Sequence, residues 1–161
     1  MDKYFVTIFG IGYSKFAPGT LGSLCGVLTF FYFYNFFSTY PIFLFFLIVL
    51  IFILSWYFTF TYVHKNKKHD PSEIIIDEFL GQLLGLTPLL FLNNLKLNPI
   101  FFLWLLLFSF LLFRFFDILK PWPINIIDGS KTSFSILLDD MVAGLFSALI
   151  LFIYLLWLQT N

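Results

Sequence analysis

Charged residues and cysteine are scarce in this sequence. Only 11% of its 161 residues are charged, far fewer than the roughly 25% of an ordinary soluble domain. The single cysteine, Cys25, excludes an intramolecular disulfide framework and a metal site built from several thiolates. The N-terminal stretch also lacks a sustained apolar run followed by a small-residue cleavage site, so we predict no removable signal peptide.

Apolar side chains take the place of charge. Hydrophobic residues make up 60% of the chain, 26 residues are phenylalanine, and the mean hydropathy is +0.94. These values indicate an integral membrane protein. The formal net charge is zero, and we expect a membrane and no nucleic acid as the partner.

The apolar residues form five tracts, each close to the ~20 residues that cross a bilayer core. We therefore predict an all-α fold, a polytopic membrane helical bundle of four to five helices, forming a single domain over residues 1–161. The predicted helices are Leu21–Phe37, Ile42–Tyr62, Asp70–Leu92, Pro99–Leu119 and Asp139–Leu158. The third is predicted to begin at a capping box, in which Asp70 is the N-cap, Pro71 the first helical residue and Glu73 the third.

Lysine and arginine in the short connections set the predicted orientation, since cytoplasmic loops carry an excess of both. With a cytoplasmic N-terminus, Lys96 is the only basic residue outside. The others lie at cytoplasmic ends: Lys3, Lys15, Lys65, Lys67, Lys68, Arg114, Lys120 and Lys131. The same topology puts every carboxylate cluster on the cytoplasmic side, which predicts one shared site facing the cytoplasm.

Two aspartates are each followed by small residues at four-residue spacing, on the same face of a helix. Asp77 is followed by glycine at i+4 and i+8, and Asp140 is followed by Gly144 and Ala148 in the same way. Small residues at this spacing let membrane helices approach closely. We expect the two seams to meet and to bring the two carboxylates together.

Clustered carboxylates without a nearby histidine or cysteine favour Mg²⁺ over zinc. The predicted metal ligands are Asp77, Glu78, Asp139 and Asp140. Glu78 is about 100° around the helix from Asp77, so the spacing supports it less strongly than Asp77 as a metal ligand. The alternative for Asp139 and Asp140 is that they only cap the N-terminus of a helix.

A charged stripe ends the fourth predicted helix. Arg114, Asp117 and Lys120 follow one another at i,i+3 steps on one inclined face. Arginine and lysine suit phosphate, the first by bidentate hydrogen bonds and the second as a point charge. The alternative is that both snorkel to the interface and pair with Asp117. Thr20 and Ser23, in a Gly-rich turn before the first span, are further candidate phosphate ligands.

Four segments together resemble the phosphatidylglycerophosphatase A family. They are Gly10–Leu24, Ile76–Gln82, Phe113–Ile124 and Leu137–Leu145. They occur in the family's order and with similar separations, so that the match covers nearly the whole chain. The resemblance implies a bacterial inner-membrane enzyme, with its active site facing the cytoplasm, that uses Mg²⁺ to remove the terminal phosphate of phosphatidylglycerophosphate in phospholipid biosynthesis. Ser130–Leu138 departs from the glycine-rich turn usual in that family.

These observations predict a phosphoric monoester hydrolase. Its predicted catalytic residues are Asp77, Arg114, Asp117, Lys120, Asp139 and Asp140. A small ion transporter or channel with a carboxylate-lined cation path is the alternative, although such a path needs charges near the bilayer midplane. The sequence leaves open the number of metal ions, the choice between water and aspartate as nucleophile, the range of lipid phosphates and the oligomeric state.

Overall fold

The computed structural model of the protein describes residues 2–66, 71–91, 98–130 and 132–160, and every described element is helical. Seven α-helices follow one another: α1 Asp2–Val6, α2 Pro18–Thr39, α3 Pro41–Asn66, α4 Ile76–Gly85, α5 Pro99–Leu119, α6 Ile124–Gly129 and α7 Ser135–Thr160. Short 3₁₀ turns occupy Ile11–Tyr13 and Thr87–Phe91. The predicted all-α membrane bundle is confirmed.

Four of the described helices, α2, α3, α5 and α7, are long and apolar enough to cross a membrane. Each of the first three begins at a proline, which lacks the N–H that would have no intrahelical partner there. Within the described residues, four of the four to five predicted membrane helices are therefore present. Lys67, Lys68, Lys96 and Lys131 lie outside the described residues, and the predicted orientation stays a prediction.

The predicted third span is wrong in both length and start. Helix α4 has only 10 residues, or about 15 Å at 1.5 Å per residue, half of a bilayer core. Pro71 to Ile75 are not helical, and Asp70 lies outside the described residues. Glu73 accepts a hydrogen bond from the Tyr62 hydroxyl at 3.2 Å rather than completing a capping box. At the other end, Pro88 has no amide hydrogen and lies in a 3₁₀ turn.

Helix α4 is buried between α2 and α7 because glycines remove the side chains at both contacts. A Cβ on Gly144 would lie 2.3 Å from the carbonyl oxygen of Gly81, and one on Gly81 would lie 2.5 Å from that of Asp140. On the other side, a Cβ on Gly22 would lie 2.6 Å from the Ile75 carbonyl oxygen. The predicted meeting of the two small-residue seams is confirmed.

One step further along the seam, the structure differs from the sequence pattern. Gly85 faces Ser147, whose Oγ would lie 3.2 Å from an added Cβ, rather than Ala148. The Ser147 hydroxyl donates to the Ser109 carbonyl at 3.3 Å, and Gln82 Nε2 lies 3.4 Å from Ser109 Oγ. These buried polar contacts join α4, α5 and α7 directly below the carboxylates.

Helix α7 begins four residues earlier than predicted. Ser135 N donates to Thr132 Oγ1 at 3.0 Å, and Thr132 N donates to Ser135 Oγ at 2.8 Å. These two reciprocal hydrogen bonds are arranged as in a capping box. Asp139 and Asp140 consequently lie in the second turn, so their interpretation as helix caps is wrong.

Candidate active site

A polar cavity of about 720 Å³ opens where the ends of α2, α4, α5, α6 and α7 converge. Eight of the nine side chains predicted from the sequence to form the site line this cavity. They are Thr20, Asp77, Glu78, Arg114, Asp117, Lys120, Asp139 and Asp140. Residues from four helices that are far apart in sequence are thus brought to one place.

Three carboxylates form the acidic side of the cavity. Asp77, Glu78 and Asp140 each contribute an oxygen, and these oxygens lie within 4.8 Å of one another. Asp77 and Asp140 are only 6% and 4% exposed. Burial raises the pKa of the Asp77 carboxyl, and burial together with the neighbouring charge of Asp77 raises the pKa of the Glu78 carboxyl.

The residues present fit a hard divalent cation. Every donor in the group is a carboxylate oxygen, as Mg²⁺ prefers. Glu78 Oε2 is buried and has no hydrogen-bond partner among the described residues. Ionised carboxylates this close repel one another unless a cation or protons intervene. The longer side chain of Glu78 brings its carboxylate to the group, and its role as a metal ligand stays a prediction.

Glycine on α2 makes room for the Glu78 side chain. A Cβ on Gly19 would lie 2.1 Å from Glu78 Oε1 and 3.3 Å from Arg114 Nη1. Gly26 gives similar room to Gln82, with an added Cβ 3.1 Å from the Gln82 Cβ. Sequence reasoning missed this role, although glycines at 19, 22 and 26 form a detectable three-and-four-residue spacing.

The Arg114 guanidinium is held from two directions. Its Nη1 lies 2.6 Å from Asp117 Oδ2 and donates to Ser23 Oγ at 3.3 Å. Ser23 also donates to the Gly19 carbonyl at 3.0 Å and is fully buried. The structure therefore places Ser23 behind Arg114 and outside the cavity lining, whereas Thr20 lines the cavity itself.

Lys120 joins α6 and α7 across the cavity. Its Nζ lies 2.6 Å from Asp128 Oδ1 and 2.7 Å from Asp139 Oδ2. Burial opposes its charge, but the hydrogen bonds to Asp128 and Asp139 prevail and raise the pKa of the Lys120 ammonium, so it stays protonated. Lys120 has a left-handed backbone, φ 42°, directly before Pro121, and this conformation ends α5.

Asp128 and Asp139 have different surroundings. Asp128, which sequence reasoning left without a role, has a half-exposed side chain. Asp139 is buried, and its Oδ1 has no hydrogen-bond partner in the described part of the chain. Asp139 is thus shared between Lys120 and the cavity, and its assignment as a metal ligand stays a prediction.

The cavity therefore has an acidic group suited to a cation beside cationic side chains suited to an anion. Gly19 adjoins both Glu78 and Arg114, so a bound anion could contact the cation and the guanidinium together. This combination is what phosphate transfer requires, because charge on the phosphoryl oxygens must be stabilised.

Comparisons with known proteins agree with this chemistry. A family model described as phosphatidylglycerophosphatase A matches residues 4–155. The chain is 34% identical over 151 residues to the phosphatidylglycerophosphatase A of Haemophilus influenzae, covering 93% of this chain and 86% of that protein. It is 34% identical to the Escherichia coli phosphatidylglycerophosphatase A, covering 89% of this chain and 77% of that protein.

A third relative has a different name. The chain is 30% identical over 151 residues to a Bacteroides thetaiotaomicron protein named as a candidate phosphatidylinositol-3-phosphatase, covering 90% of this chain and 87% of that protein. No solved structure matches this chain. The family model spans nearly all of the sequence, and the chain belongs to the phosphatidylglycerophosphatase A family.

Proposed function

We propose that this protein is a Mg²⁺-dependent phosphatase that hydrolyses the terminal phosphate monoester of phosphatidylglycerophosphate to give phosphatidylglycerol in phospholipid biosynthesis. The observation that carries the proposal is the convergence of Asp77, Glu78 and Asp140 within 4.8 Å of one another, in a cavity that also contains Arg114 and Lys120. Two relatives named phosphatidylglycerophosphatase A support the choice of substrate.

In this proposal Asp77, Glu78 and Asp140 hold the cation. Asp139, whose Oδ1 has no hydrogen-bond partner among the described residues, lines the same cavity. When bound, Mg²⁺ would neutralise charge on the phosphate and lower the pKa of a coordinated water. The carboxylates must be ionised to bind it, so the raised pKa of Glu78 makes cation binding and proton loss one coupled event.

The cationic residues act on the phosphoryl oxygens. Arg114 donates hydrogen bonds to them, and Asp117 and Ser23 restrict the guanidinium to one orientation before substrate arrives. Lys120 supplies a fixed positive charge from between Asp128 and Asp139. Thr20 contributes a hydroxyl at the N-terminal turn of α2, where the helix end favours an anion.

Because the proposed substrate is a lipid, the active site must be accessible from the membrane surface. The cavity lies at the ends of three of the four membrane helices, α2, α5 and α7, and the basic residues on the same side predict that this end faces the cytoplasm. Trp122, beside Lys120, is strongly exposed and suits a position at the headgroup level. We place the enzyme in the bacterial inner membrane with its active site facing the cytoplasm.

The proposal is tested by phosphate release from phosphatidylglycerophosphate by the purified protein in detergent. Turnover is measured with Mg²⁺, with EDTA and in Asp140→Asn, and phosphatidylinositol 3-phosphate is assayed in parallel. Asp2→Asn serves as the control, because Asp2 pairs with Lys65 away from the cavity. Equal turnover with Mg²⁺, with EDTA and in Asp140→Asn would refute the metal-site proposal, and preference for the inositol lipid would refute the substrate assignment.

A cation transporter remains the alternative function, and the geometry does not favour it. The acidic residues of the described chain that could hold a cation converge at the ends of the helices and not halfway along them. Cation flux into proteoliposomes distinguishes the two functions, because a phosphatase gives phosphate release and no flux.

A further inference from the structure

A second cavity, of about 540 Å³, lies on the far side of α4 from the active-site carboxylates. Its lining is entirely apolar or aromatic and comes from α1 and the turn after it, from α3 and from α4. Ile76 and Phe79 form its α4 wall, next in sequence to Asp77 and Glu78. We call this cavity the apolar groove.

The N-terminal segment descends along α3 to form one wall of the apolar groove. Asp2 pairs with Lys65 near the end of α3, and the ring of Phe5 lies 4.8 Å from that of Phe58. Ile8 lines the groove together with Ile51. From Phe58 to Ile51 is about 10 Å along a helix axis.

The segment then turns back. Ile8, Phe9 and Gly10 have positive φ angles of 46°, 55° and 96°, which reverses the chain before the 3₁₀ turn. Phe9 is 89% exposed and Tyr4 is 62% exposed. Aromatic rings this exposed are costly in water and favourable against hydrocarbon, so the open side of the groove faces lipid.

The apolar groove is closed off from the active site. The Ile75 amide donates to the Val6 carbonyl at 3.0 Å. Val6 is fully buried, and Ile74, which is also buried, lines the polar cavity. Among the residues that the structure describes, none lines both cavities. A lipid whose phosphate occupies the polar cavity therefore has no direct path for its chain into the groove.

We infer that the apolar groove holds an acyl chain of a resident anionic phospholipid that is not the substrate. Its α3 wall, from Ile51 to Phe58, runs along the helix axis, the direction in which an acyl chain lies, and exposed apolar residues of the same helix flank these two in sequence. Lys3, next to Tyr4 and exposed, has its ammonium 4.9 Å from the Tyr13 ring and can meet an anionic headgroup. The inference depends on membrane insertion and not on the proposed phosphatase activity.

The resident lipid has a structural consequence for the active site. Helix α1 has only five residues, too few to be stable without packing. An acyl chain covering Phe5 and Ile8 would hold α1 against α3 and α4. Because Val6 accepts the hydrogen bond from Ile75, directly before α4, the lipid would also fix the start of the helix that carries Asp77.

The test titrates dioleoyl phosphatidylserine into delipidated full-length protein in detergent and counts bound lipid by native mass spectrometry. The expected result is one tightly bound lipid per chain. Ile51→Trp fills the groove and should weaken binding at least about tenfold. Ile53→Trp is the matched control, because it adds the same ring to the exposed, lipid-facing side of the same helix.

A second variant protects the test against misfolding. Tyr4→Asp puts a negative charge on a largely exposed position at the groove and should weaken binding as much as Ile51→Trp does. Asp140→Asn should bind the lipid as the unaltered protein does, which separates this site from the substrate site. Equal binding in Tyr4→Asp and the unaltered protein, or loss of the lipid in Asp140→Asn, would overturn the inference.

Discussion

Gly81 and Gly144 pack backbone against backbone, so that a Cβ on Gly144 would lie 2.3 Å from the Gly81 carbonyl oxygen and 3.1 Å from its Cα. This contact joins a ten-residue helix to a membrane span. It also fixes the separation of Asp77 and Asp140, each of which lies four residues before one of these glycines. The close approach of two helices is therefore the cause of the carboxylate group.

Gly144→Ala should separate α4 from α7, because the added methyl group would overlap backbone atoms that cannot rotate away. We expect a loss of about 1–3 kcal/mol of stability, as for overpacked cores, together with weaker Mg²⁺ binding. Thermal unfolding and Mg²⁺ titration measure the two effects. Gly129→Ala is the control for stability, because nothing lies within 4 Å of a Cβ there; an equal loss of stability in both variants would contradict the prediction.

Glu78→Gln should weaken the dependence on Mg²⁺ more than it weakens folding. The substitution removes one of the three carboxylates that we propose hold the cation, while keeping the side chain's size beside Gly19. We expect the Mg²⁺ concentration for half-maximal activity to rise at least about tenfold, as for loss of a charged hydrogen-bonding group. Glu73→Gln is the comparison, because Glu73 bonds Tyr62 and does not line the cavity. An unchanged Mg²⁺ requirement in Glu78→Gln would exclude Glu78 as a ligand.

Asp117→Asn should lower turnover by about 10- to 100-fold, since a hydrogen bond to a charged group contributes about 1.5–3 kcal/mol. Arg114 would remain but would lose the carboxylate that holds it at 2.6 Å. Ser23→Ala removes only the weaker 3.3 Å contact and should have a smaller effect in the same direction. Steady-state kinetics check both, and a larger loss in Ser23→Ala would mean that Ser23 contacts phosphate directly.

Lys120 should depend more on Asp139 than on Asp128, because Asp139 is buried and Asp128 is half exposed. Asp128→Asn leaves one carboxylate beside the ammonium and should reduce turnover only several-fold. Asp139→Asn should reduce it far more, since the partly buried Lys120 ammonium then loses its buried partner. Turnover of the two variants at one pH provides the measurement, and the reverse order would refute this division.

The stability of the metal-free protein should fall as pH rises from 5 to 8. Burial raises the folded-state pKa of Asp77 and Glu78, so protonation of these carboxyls stabilises the folded protein. This stabilisation is complete below the unfolded-state pKa and is lost as the pH rises through the folded-state pKa. Mg²⁺ binds the ionised carboxylates and should stabilise the protein more at pH 8 than at pH 5. Melting temperatures with EDTA and with Mg²⁺ at each pH test this; a Mg²⁺ effect independent of pH would contradict it.

Much of the site could be predicted because it depends on local spacing. Arg114, Asp117 and Lys120 share a helical stripe, and the glycine seams below Asp77 and Asp140 follow from a four-residue period. These patterns need only a regular helix to have meaning. The predicted contact between the two glycine seams was confirmed, because small residues allow the two helix backbones to approach closely.

Other features depended on contacts that no local pattern records. The capping box at Asp70 was predicted from a valid local motif, yet Glu73 bonds Tyr62 on α3 instead. Ser23 was predicted to bind phosphate because it is a hydroxyl near a helix start. The tertiary structure buries it behind Arg114.

By itself the sequence determined the membrane class, the helical fold, the family and eight of the side chains that line the cavity, because composition, motifs and helical period are properties of the chain alone. Only the tertiary structure decided that α4 is a short buried helix and not a span. It also decided that Glu78 joins Asp77 and Asp140, and that Asp128 and Asp139 share Lys120. The physical reason is that each of these outcomes depends on side chains from different helices competing for the same neighbours.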